Sequence, residues 1–77
     1  MNDEQRDHQT AVTWIEGEIT NMIRDLGKPN ASSAATSSIT LAFMLRVIND
    51  DEHRHYRARI DQIYATYNES IKQGVAA

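Results

Sequence analysis

The sequence predicts an all-α fold, a bundle of three helices, on three observations. Two stretches carry apolar residues at alternating three- and four-residue steps, Val12, Ile15, Ile19, Met22, Leu26 and Tyr56, Ile60, Ile63, Tyr67, the spacing that lines one face of a helix. Between them, residues 39–48 are apolar around nearly the whole circumference of a helix, through Ile39, Leu41, Phe43, Met44, Leu45, Val47 and Ile48. Finally, 77 residues hold only one proline and three glycines, so few positions interrupt a helix.

The first helix is expected from residue 3 or 11 to 26. Its stop is sharp: Gly27 follows the last seam residue, where a left-handed cap suits glycine, and Pro29 cannot continue the helix. At the other end, Asn2 with Gln5 three residues on resembles a weak capping box. A connector is expected over 27–36, where Ser, Thr and Asn side chains compete for backbone groups. The second helix follows at 37–48, with Ala34, Ser38 and Ala42 forming a narrow stripe of small side chains. The third is placed at 50–73. A break near Asn49 is favoured because Asn49-Asp50-Asp51-Glu52 reads as a cap with acids in the first turn, where they complement the helix dipole. The alternative is a helical hairpin in which the second and third helices are one. The last four residues, 74–77, read as a short tail resembling those that bacterial unfoldase proteases recognise, or as a frayed end.

Acidic residues (Glu16, Glu18, Asp25) flank the first seam and basic residues (Arg57, Arg59) the second. Opposite flanks are how paired helices select one another, so Glu16, Glu18, Arg57 and Arg59 are expected to form interhelical charge pairs, with the first and last helices paired through their seams and the middle one covering them. A helix apolar all round has to be buried on more than one side. The surplus, around Phe43, Met44 and Val47, is expected to be covered by a second chain in a symmetric dimer. Trp14, off the main stripe of its helix, and Tyr64 join these as expected interface residues, since Trp and Tyr combine apolar area with a polar tip.

Chemistry is sparse. Without cysteine there is no disulfide or thiolate chemistry, which fits a reducing, cytoplasmic compartment. The start is polar and acidic, unlike a secretory signal, and no run approaches the roughly 20 apolar residues of a membrane span. Glu52 and His55 have the Glu-x-x-His spacing of carboxylate-bridged metal sites in bundles, but such sites want the motif twice, so they are weak metal candidates. The segment from Arg54 through Arg57 to Arg59 is the one nucleic-acid candidate; a helical wheel spreads these arginines around the seam, and the net charge of -3 works against binding a polyanion. Serines 32, 33, 37 and 38 lie in no nucleophile motif. No catalytic residue or cofactor is expected. The sequence reads as a small non-enzymatic regulator or adaptor acting through helical surfaces, with nucleic-acid binding and metal binding as alternatives.

Overall fold

The computed structural model describes the backbone of residues 3–76 and the side chains of residues 3–72. Three helices, α1 (Asp3–Arg24), α2 (Ser33–Met44) and α3 (Asp50–Ala76), make up the fold. The long-hairpin alternative is excluded, because α2 ends at Met44 and α3 starts only at Asp50, with a non-helical turn between them. The Asn2 cap lies outside the described residues. α3 runs on through Gly74 to Ala76, so the expected tail at 74–77 is helical up to Ala76. Ala77 lies outside the described residues, and so do the side chains on which a degradation signal there would depend.

Each break has a local cause. Gly27 adopts φ 94°, the left-handed cap that its position suggests. α1 ends at Arg24 rather than at 26 because the Leu26 N–H turns to the Ile23 carbonyl, three residues back, drawing the chain into that cap. α2 starts at Ser33, four residues before the expected 37, and Ser32 in front of it makes no side-chain cap hydrogen bond. Its C-terminus is a Schellman motif: Val47 N–H donates to the Ala42 carbonyl at 3.0 Å and Arg46 N–H to the Phe43 carbonyl at 3.0 Å, with Arg46 at φ 61°. That motif ends α2 at Met44 instead of 48 and folds Val47 and Ile48 back toward the core. α3 then opens with a reciprocal capping box, in which Asn49 Oδ1 accepts the Glu52 N–H at 2.9 Å and Glu52 Oε1 accepts the Asn49 N–H at 3.0 Å.

The core is a single cluster of Ala11, Ile15, Ile19 and Met22 from α1, Ala35, Ile39 and Ala42 from α2, Ile48 from the turn, and Tyr56 and Ile60 from α3. The seams are therefore shorter than their sequence patterns. Val12 and Leu26 are half-buried at the margin of α1, Ala11 takes the inner position, and Ile63 and Tyr67 are half-buried on α3. The stripe of small residues on α2 is also rotated by one position. Ala35, Ser38 and Ala42 face inward, whereas Ala34 is exposed. The Ser38 hydroxyl is satisfied by the Ala35 carbonyl at 2.8 Å, so burying it leaves no unpaired polar group.

These small residues let both other helices approach α2 closely, so α2 is the central element rather than a cover laid over an α1–α3 pair. α1 and α3 run parallel, bridged at intervals by long side chains: His8 to Glu52, Glu16 to Arg59, and Tyr67 reaching the edge of Gly27. The radius of gyration, 14.5 Å, exceeds the roughly 11.5 Å of a compact domain of this length. α3 accounts for the excess, since its last turns extend beyond the level of Gly27.

Candidate interaction surface

α2 has two sides. Its α3-facing side is occupied: Phe43 packs against the core with its ring 4.5 Å from that of His53, and Val47 and Tyr64 also pack on the core. Phe43, Val47 and Tyr64, expected at an interface, are half-buried and pack on the core by one side. The surplus apolar surface lies on the opposite side, where Leu41 is 45%, Met44 71% and Leu45 65% exposed. Trp14 is 46% exposed on α1, as its position off the stripe implies. The apolar periodicity of α2 does not say which side faces inward; the inward placement of Ala35, Ser38 and Ala42 decides it.

Of the four residues expected to pair charges, the structure joins two. Arg59 Nη1 donates to both carboxylate oxygens of Glu16 across the α1–α3 valley. Glu18 lies on the other flank of α1, toward α2, and accepts from Asn21 Nδ2 at 3.1 Å. Arg57 has no ion-pair partner among the described residues. A link that sequence reasoning missed joins the helices one end away: His8 Nε2 donates to Glu52 Oε2 at 2.6 Å, while the other oxygen of Glu52 completes the capping box. The N-x-x-E spacing signals the box, but nothing local in the sequence signals His8.

Two carboxyls and one phenol are shifted by this arrangement. The hydrogen bond from His8, helped by the Asn49 N–H, holds Glu52 below the usual carboxylate range despite some desolvation. Asp25 is lowered first by its hydrogen bond from Arg24 and further by Lys28. Tyr56 is raised, chiefly by burial and then by the carboxylates of Glu16 and Glu52.

The weak metal candidates are not brought into one site. Glu52 is taken up by His8 and Asn49, the ring of His55 lies 5.3 Å from that of Tyr56, and no group of three His, Asp or Glu among the described residues converges as a metal site would. The arginines of α3 are likewise dispersed, with Arg54 bound to Asp51 at 2.5 Å and Arg59 to Glu16. No described helix is long and apolar enough to cross a membrane. Besides the α2 surface, one shallow apolar groove lies between the ends of α1 and α3, lined by Ile23, Leu26, Ile63 and Tyr67. The fold is thus an all-α three-helix bundle whose outer face carries bulky apolar side chains on α1 and α2. No known protein family matches the chain, and no curated protein or solved structure does either.

Proposed function

We propose that this protein is a small, non-enzymatic regulator or adaptor that works by binding another polypeptide through a helical surface. One observation carries the reading. Leu41, Met44 and Leu45 stand exposed on a helix whose opposite side is already packed, and contiguous apolar surface on a small soluble chain marks an interaction site. Binding would bury the leftover side of α2, and Trp14 supplies the kind of aromatic anchor that dominates interface energetics. A cytoplasmic setting belongs to this reading and rests on a sequence without cysteine.

Photo-crosslinking in the native host tests it. A benzophenone side chain at position 44 is expected to give covalent adducts above the 8.8 kDa of one chain. The same probe at position 68, exposed on the far part of α3, is expected to give none. Equal labelling from both positions, or from neither, would defeat the proposal.

A further inference from the structure

Asp7, Trp14 and Glu18 follow one another on a single strip of α1, and Ala34, Leu41 and Leu45 repeat the same seven-and-four spacing on α2. The valley between these helices brings Glu18 and Asn21 beside Ala34. Since the helices are antiparallel and share one rise per residue, moving seven residues along α2 matches moving back by seven along α1. Leu41 therefore comes level with Trp14, and the turn that follows Leu45 comes level with the second turn of α1, where Asp7 stands. Asp7 and Arg46 are both exposed, and neither has an ion-pair partner among the described residues.

Resting on the interaction reading above, we infer that the partner at this face is a second copy of the same chain, related by a two-fold axis parallel to the helices. Such an axis lays α1 against α2 of the second copy at equal height. Trp14 then meets Leu41 of the second copy and Asp7 meets its Arg46, and symmetry repeats both contacts. The apolar strip is thus closed at one end by two opposite-charge pairs. A two-fold axis perpendicular to the helices would set α1 on α1 and turn Arg46 toward Ala34, away from Asp7. A standard interface takes about 800 Å² from each partner, about a seventh of the 5585 Å² surface of this chain. A face two helices wide and as long as the 12 residues of α2 falls below that standard size, where association is weak and transient.

The charges make the geometry testable by sedimentation equilibrium. Asp7→Arg leaves two cations on each face and Arg46→Asp leaves two anions, and Asp tolerates the left-handed backbone at position 46. Each variant alone is expected to self-associate at least tenfold more weakly than the parent chain. An equal mixture is expected to regain parental affinity as a heterodimer, because every cation then faces an anion. Leu41→Ser, which touches neither charge, is expected to weaken the dimer at least tenfold whether or not Arg46→Asp folds. A parent chain that stays monomeric at several hundred micromolar would overturn the inference. So would a dimer indifferent to Leu41→Ser, or charge variants that do not recover on mixing. The interaction reading itself fails only through the crosslinking result, so the two failures are distinguishable.

Discussion

Arg46 occupies a backbone conformation that suits glycine. At φ 61° its Cβ crowds the following carbonyl, a cost of about 1–2 kcal/mol that glycine would not bear. Arg46→Gly is therefore expected to raise stability by about 1 kcal/mol, a rise of roughly 4–8 °C in Tm for a domain of this size, readable by thermal denaturation. It would also remove the cation that the inferred dimer uses, so the same change should stabilise the fold while weakening self-association. Gly27 is the converse case. Its φ of 94° disfavours any side chain, and a Cβ there would come within 2.6 Å of Tyr67 Oη. Gly27→Ala is expected to cost about 1 kcal/mol in chemical denaturation even if the Tyr67 ring moves aside.

Among the elements, α3 depends most visibly on its first turn. Asn49→Ala removes the oxygen that accepts the Glu52 N–H and is expected to cost about 1 kcal/mol. Glu52 adds a pH dependence whose sign follows from its lowered pKa. A carboxyl that ionises more easily folded than unfolded contributes stability above its unfolded pKa, and that contribution is lost as pH falls through the folded one. Glu52→Gln is accordingly expected to flatten the decline in denaturation midpoint between about pH 5 and pH 3. These ends could be read from the chain because their chemistry is local: Gly27 before Pro29, and Asn49 three residues before Glu52. The start of α2 could not, since Ser32 provides no side-chain cap and one Ser, Ala or Thr position resembles the next. Nor could the outward side of α2 be read from its apolar pattern, as Phe43 is drawn in beside His53 while Met44 and Leu45 are left out. Glu16 and Arg59 pair as their flanks suggest. Glu18 does not, because a helical wheel gives an angle around the helix but not which neighbour stands there.

For the whole molecule, stability rests on a thin core. Ile39 is fully buried at the centre of α2, between the other two helices. Ile39→Ala is expected to cost about 2–5 kcal/mol, a large share of the roughly 4–12 kcal/mol that a domain of this length commands, and circular dichroism at 37 °C should show partial unfolding. The central position of α2 has a kinetic corollary. Since α1 and α3 each pack chiefly on α2, the helix next to them along the chain, most native contacts join segments close in sequence. Short-range topologies of this sort reach the native state in microseconds to milliseconds. The Glu16–Arg59 and His8–Glu52 bridges, which span the longest loops, should be absent from the transition state, so temperature-jump relaxation of Glu16→Gln across the denaturant transition is expected to show faster unfolding at an unchanged refolding rate.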